Sequence, residues 1–205
     1  TTLFNGMILF PRSAPSWVIT ALACASWMRS AMDWAENPPN TTEFVQRVLS
    51  ELNLESTVMT YPESFVVNGV SFTCIWPSEL IMGQGSDANN ASVAIAVQVD
   101  GVSILLTGDI EPPAQDKIVR DLSEVDFDVI KVAHHGSRYQ SSDFAKWANA
   151  EVAFISVGKD NDYGHPAPET ISLYELTGSQ VFRTDLRGDL AISVQDSQIR
   201  VATRR

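Results

Sequence analysis

The stretch SVAIAVQVDGVSILLTGD, residues 92–109, decides the fold class. Two apolar runs flank Asp100-Gly101, a dipeptide that closes two-residue hairpins. The second run stops at Thr107-Gly108 and a carboxylate, Asp109. Downstream, PPAQDKIVRDLSEV (112–125) reads as a helix opened by its prolines, and DFDVIKVA (126–133) as a buried strand. SSDFAKWANA (141–150) is a short helix capped by Ser141 or Ser142, and EVAFISVG (151–158) a further buried strand. APETISLYELTG (167–178) is a helix ending at Gly178, and QVFRTD, GDLAISVQD and QIRVATR are strands. Upstream, STVMTY (56–61), ESFVVNG (63–69) and VSFTCIWP (70–77) are short strands broken by Pro62, Asn68-Gly69 and Pro77. LIMGQGSDANN (80–90) is a polar loop. Helices alternating with buried strands, with hairpins mixed in, predict a layered α/β sandwich with a mixed sheet.

The first residues read differently. Residues 1–16 give no clear element. WVITALACASWM (17–28) is apolar but shorter than the roughly 20 residues of a membrane-spanning helix, and only Arg12 precedes it, so it lacks a signal peptide's basic lead. A buried helix running on to Glu36 accommodates Trp17, Trp27 and Trp34. Asn40 or Thr41 caps a second helix over TTEFVQRVLSELNL (41–54). Residues 1–40 therefore stand as an unassigned, partly helical segment, and 41–205 as one domain. The chain begins with Thr1, which reads as a fragment, a processed form or a trimmed form.

Composition sets broad limits. The 205 residues are 44% hydrophobic, enough for one sizeable core. The net charge of −11 repels nucleic acid at long range, so a polyanionic substrate requires a local site, a metal or another part of a larger protein. By itself the acidity means solubility. Cys24 and Cys74 form no metal or disulfide pattern and read as small buried hydrophobes.

Chemistry concentrates at strand ends. The chain has three histidines, His134, His135 and His165. Two follow the strand DFDVIKVA, and the third lies in KDNDYGHP (159–166), after EVAFISVG. Taken singly, Asp109 is a turn residue, His134 or His135 a satisfied core histidine, and His165 ordinary loop chemistry. Taken together, a carboxylate and every histidine fall where layered α/β proteins form ligand sites. Carboxylate plus imidazole suits zinc or manganese. Adjacent strand residues face opposite ways, so only one of His134 and His135 reaches a given metal unless the backbone turns at Gly136.

Four blocks, NNASVAIAVQVDGVSILLTGDIE (89–111), DFDVIKVAHHGS (126–137), ISVGKDNDYGHP (155–166) and VFRTDLRGDLAI (181–192), together resemble the metallo-β-lactamase-like domain of the ComEC competence family. The resemblance covers about residues 60–200 and implies a metallo-β-lactamase-like αββα sandwich with mixed sheets, incomplete at its N-terminus. It implies that Asp109 bridges two divalent ions, zinc or manganese. His135 is then a ligand with His134 beside it, as a further ligand or a catalytic group. Ser137 lines the site, His165 faces the scissile phosphate as donor or proton carrier, and Asn90 and Ser92 support the site loop. The implied function is phosphodiester hydrolysis of DNA during uptake by a metal-activated water, with no organic cofactor. The implied setting is a soluble domain beside the membrane channel of a bacterial inner-membrane protein, extracytoplasmic, with no transmembrane segment or signal peptide in this chain.

The chain departs from the family at the first metal motif, H-x-H-x-D-H or H-x-D-x-D-H. No histidine occurs from Thr1 through Ala133, and the D-V-G-Q-G-D block is missing, GQGSD (83–87) being a misplaced likeness. The chain alone is therefore expected to be inactive. The alternatives are a hydrolase of the same fold acting on a small ester or phosphodiester, and a non-catalytic binding or scaffold module.

Overall fold

The computed structural model describes residues 7–9, 50, 59–195 and 198–204. The helix expected over 17–36 and all but Ser50 of that over 41–54 lie outside the described residues, as does Cys24.

In chain order the elements are β1 (Met7–Leu9), β2 (Ser64–Val67), β3 (Val70–Trp76), α1 (Asp87–Asn90), β4 (Ala94–Val99), β5 (Val102–Leu106) and α2 (Pro112–Asp121). Then come β6 (Val129–Lys131), a tight turn (Ala133–Gly136), α3 (Ser142–Ala148), β7 (Val152–Ile155), α4 (Pro168–Leu176), β8 (Gln180–Arg183), α5 (Thr184–Arg187), β9 (Asp189–Gln195) and β10 (Gln198–Arg204). Both hairpin signals close as their chemistry requires. Asn68-Gly69 has φ of 50° and 83°, Asp100-Gly101 of 49° and 80°, and Val67↔Val70 and Val99↔Val102 pair across them.

Among the described residues the strands form a seven-stranded sheet in the order β2-β3-β4-β5-β6-β7-β8 and a three-stranded sheet in the order β1-β9-β10. Strands β2 to β5 pair antiparallel, and β5 to β8 pair parallel through the crossovers that contain α2, α3 and α4. The parallel strands are covered on both faces, which explains their unbroken apolar runs. Leu105, Ile130, Ala153 and Ile155 pack with Ile118 of α2, Phe144 and Trp147 of α3 and Tyr174 of α4. Their neighbours along the strands, Ile104, Val129, Val152 and Phe154, face the other way and pack with Leu190 and Ile192 of β9. The period of two thus separates a helix side from a second-sheet side.

Three expectations need correction. Met59 and Thr60 of STVMTY are not in a strand, because the chain already enters the turn at Tyr61-Pro62. The polar stretch 80–90 contains a single helical turn, α1, capped where the Ser86 hydroxyl accepts from the Asn89 amide at 3.3 Å. The initial segment, read as giving no clear element, supplies β1, which pairs parallel to β9 with Ile8 opposite Ala191. A three-residue strand is too short to show a period. Among the described residues no helix is long and apolar enough to cross a membrane.

Lys131 ends β6 beneath the sheet rim. Its ammonium donates to the carbonyls of Gly108 at 3.4 Å and Val132 at 3.3 Å, joining the exits of β5 and β6. Burial holds its pKa below the ordinary lysine value, against the attraction of Asp109. Between that lowered value and the unfolded value the unfolded chain binds more protons, so this group makes stability rise with pH. Lys131→Met is therefore expected to gain stability over the parent near pH 7 and to lose that advantage toward pH 10. Urea unfolding at both pH values checks it, and a pH-independent difference between the two proteins would count against it.

Candidate functional site

Side-by-side parallel strands put their C-terminal ends on one rim, and β5, β6 and β7 are neighbours running the same way. Asp109 follows β5, His134 and His135 follow β6, and Ser156 follows β7. The Thr107 hydroxyl donates to the Lys131 carbonyl at 2.6 Å and locks the exit of β5 to β6. Gly108 has φ of +58°, and a Cβ there would lie 2.8 Å from the Cβ of buried Ser92. Glycine and a small residue are both required at this crossing. Buried Asn90 supports the same loop, since its Oδ1 accepts from the Glu111 amide at 3.1 Å and its Nδ2 donates to the Gln84 carbonyl at 2.8 Å.

The paired histidines do not continue the strand. His134 (φ 47°), His135 (φ 54°) and Gly136 (φ 77°) take three successive left-handed conformations. The chain turns two residues before Gly136, so both imidazoles are delivered to the rim. Such a backbone costs about 1–3 kcal/mol at each non-glycine position and needs external support. The His134 amide donates to the Gly108 carbonyl at 3.1 Å, and the Ala167 amide donates to the Gly136 carbonyl at 2.8 Å. The carbonyl of Ser137 accepts from Thr170 Oγ1 at 2.6 Å and from Gln140 Nε2 at 3.1 Å. Ser137 itself is buried, and its hydroxyl accepts from the Tyr139 amide at 3.3 Å, within its own turn.

His135 donates from Nδ1 to the Ser156 carbonyl at 2.7 Å. That places its proton on Nδ1 and leaves the Nε2 lone pair free, 3.8 Å from Asp109 Oδ1. Desolvation, and then the Lys131 charge, hold the His135 pKa below the usual imidazole value, against the pull of Asp109. A neutral, carbonyl-anchored imidazole aimed at a carboxylate is the form that ligates metals. The gap suits two donors each about 2 Å from one ion. Yet among the described residues no group of three His, Cys, Asp or Glu is placed to hold a metal. His135 and Asp109 form a two-donor edge and do not complete a site.

His134 looks elsewhere. Its Nδ1 lies 3.4 Å from Asn89 Nδ2 and 3.7 Å from Glu111 Oε1. Glu111 is almost fully buried, accepts from the Ser86 amide at 2.9 Å and from Asn89 Nδ2 at 2.8 Å, and crowds Gly85, whose φ of +74° admits no side chain there. Sequence reasoning missed Glu111 and Asn89. The available signal was a second carboxylate in GDIE, placed just before Pro112-Pro113, where it starts a helix without capping it. His165 lies at the same rim, its ring 5.4 Å from that of His134 edge-on and 6.3 Å from that of exposed Tyr163. Desolvation, then repulsion from His134 and His135, lowers its pKa.

Gly136 is where the histidine turn meets the His165 loop. A Cβ there would lie 2.7 Å from the Cβ of Pro166 and 3.1 Å from Cγ2 of Ile155, and φ is +77°. Gly136→Ala is expected to cost about 1–3 kcal/mol of stability. Urea denaturation measures it, and an unchanged midpoint would mean that the two loops are not clamped together.

No family model matches the chain. In sequence it is 33% identical over 103 residues to ComE operon protein 3 of Bacillus subtilis (strain 168), covering 50% of this chain and 13% of that protein. It is 31% identical over 125 residues to competence protein ComA of Neisseria gonorrhoeae, covering 60% and 18%. The uncharacterized protein YcaI of Escherichia coli (strain K12) is 28% identical over 181 residues, covering 87% and 21%. The chain thus spans about a fifth or less of the length of these relatives. Among solved structures, the metallo hydrolase Igni18 of Ignicoccus hospitalis KIN4/I has 12% identity and a TM-score of 0.42, over 78% of this chain and 66% of that one. Over these aligned stretches the chain is thus similar in sequence to proteins named for competence.

Proposed function

We propose that this chain is the late half of a metal-dependent phosphodiester hydrolase domain that acts on DNA during uptake, beside the membrane channel of its parent protein on the extracytoplasmic side. The observation that carries the reading is the rim itself. Asp109 and the free Nε2 of His135 face each other at 3.8 Å, with Nδ1 of His135 anchored on Ser156. Relatives named for competence support the DNA-uptake setting.

A complete centre of this family supplies an acidified water and positive charge for phosphate oxygens. This chain contributes Asp109 and His135 as donors and lacks the histidines of the first motif. His165, at the outer rim beside Tyr163, meets the phosphate as a hydrogen-bond donor or proton carrier, and His134 stands between it and buried Glu111. With two donors in place of the three or more that hold zinc tightly, the chain alone binds zinc or manganese weakly and cuts DNA little.

Elemental analysis and a nuclease assay test this. The 205-residue chain should carry less than one tightly held metal. Joined in one polypeptide to the N-terminal half of a relative's domain, it should regain metal and cleavage. Asp109→Asn in that fusion should remove both, whereas His165→Ala should lower turnover more than metal content. Two tightly held ions in the chain alone, with cleavage lost on Asp109→Asn, would contradict the half-site. A metal-loaded fusion that cleaves only small phosphodiesters would move the substrate away from DNA. A fusion that binds no metal would leave the scaffold reading.

A further inference from the structure

We infer that the adjacent histidines are held as opposite neutral tautomers, with Asn89 the positioning residue that keeps the His134 proton on Nε2. The argument starts from Glu111. A carboxylate only accepts, so the Asn89 atom 2.8 Å from Glu111 Oε1 is the amide nitrogen. That same nitrogen lies 3.4 Å from His134 Nδ1. With one hydrogen committed to Glu111, it offers the other to the ring, and Nδ1 must accept. Direct donation from Nδ1 to Glu111 is not available, because that distance is 3.7 Å, beyond hydrogen-bond reach. The proton of neutral His134 therefore sits on Nε2.

His135 is wired the other way, since Nδ1 donates to the Ser156 carbonyl and Nε2 carries the lone pair beside Asp109. An N–H cannot ligate, so the tautomers divide the labour of the pair. His135 Nε2 is the metal donor, and His134 Nε2–H is the hydrogen-bond donor available to a phosphate or leaving oxygen. That assignment of roles rests on the proposed hydrolase reading. The tautomers and the part of Asn89 rest on the hydrogen-bond geometry alone.

The test is a two-bond proton–nitrogen correlation spectrum of the 15N-labelled 205-residue chain without metal. It is recorded about two pH units above the ordinary imidazole pKa of roughly 6.5, where the rings are neutral. Peaks are assigned with single His→Gln variants. The expected pattern places the proton on Nδ1 in His135 and on Nε2 in His134. Asn89→Asp presents an acceptor to His134 Nδ1 and should move its proton there, leaving His135 unchanged. If that variant does not fold, Asn89→Ala should shift the His134 nitrogens toward the average of the two forms. A His134 proton on Nδ1 in the parent chain, or a folded Asn89 variant with unaltered His134 nitrogens, overturns the inference. Failure of the fusion protein to hydrolyse DNA while these tautomers are observed overturns the hydrolase reading and leaves the tautomers standing.

Discussion

The parallel adjacency of β5, β6 and β7 is the constraint on which the site depends. Three strands that run the same way in neighbouring positions must end on one rim, so the residues after them meet without any long loop. Helices α2, α3 and α4 enforce that direction, since a parallel pair needs a crossover and each crossover helix buries its apolar side on the same face. The second sheet covers the opposite face through Leu190 and Ile192. With both faces buried, a register slip of one residue would exchange Ile130 and Val129 between two different cores. The rim is therefore set by packing on two sides, and the polar residues at strand ends inherit that precision.

On this frame the chain places a strained element. The left-handed turn at His134, His135 and Gly136 sets both imidazoles on one rim, where a regular strand would send them to opposite faces. The loop that brings His165 also supplies the Ala167 amide for the Gly136 carbonyl, and Pro166 seats against Gly136 where a larger residue would collide. Strain and support come from different parts of the sequence, 30 residues apart from Gly136 to Pro166. Over-determination of this kind is what lets a costly backbone persist, and it marks functional sites.

Much of this was legible in the sequence for physical reasons. Hairpins at Asn68-Gly69 and Asp100-Gly101 announce positive φ, and apolar runs between helices announce strands covered on both sides. The convergence of Asp109 with the histidines follows from strand ends. The turn at His134 was not legible, because non-glycine residues in left-handed conformation are imposed by tertiary contacts with Gly108 and Ala167, far away in the chain. Nor was the part of Glu111, whose burial depends on Ser86 and Asn89 folding back over it from a stretch that reads as plain loop. The strand β1 escaped because three residues carry no period.

The same wiring limits what this site does alone. A metal centre needs lone pairs, and the rim offers few of them. His135 Nε2 is free because Ser156 takes the other nitrogen's proton, whereas His134 Nδ1 is occupied by Asn89. His165 lies beyond His134, against Tyr163. Since these 205 residues hold no fourth histidine, a further imidazole for a metal beside Asp109 and His135 would have to come from His134 or His165 after rearrangement, or from outside this sequence. Rearranging His134 would cost its contact with Asn89 and disturb a buried carboxylate that Asn89 also serves, a penalty of order 1–3 kcal/mol for each polar group left unpaired. An imidazole from outside incurs no such loss. If the proposed metal centre forms, the hydrogen bonds around His134 thus favour its completion by histidines from outside this sequence over completion from within.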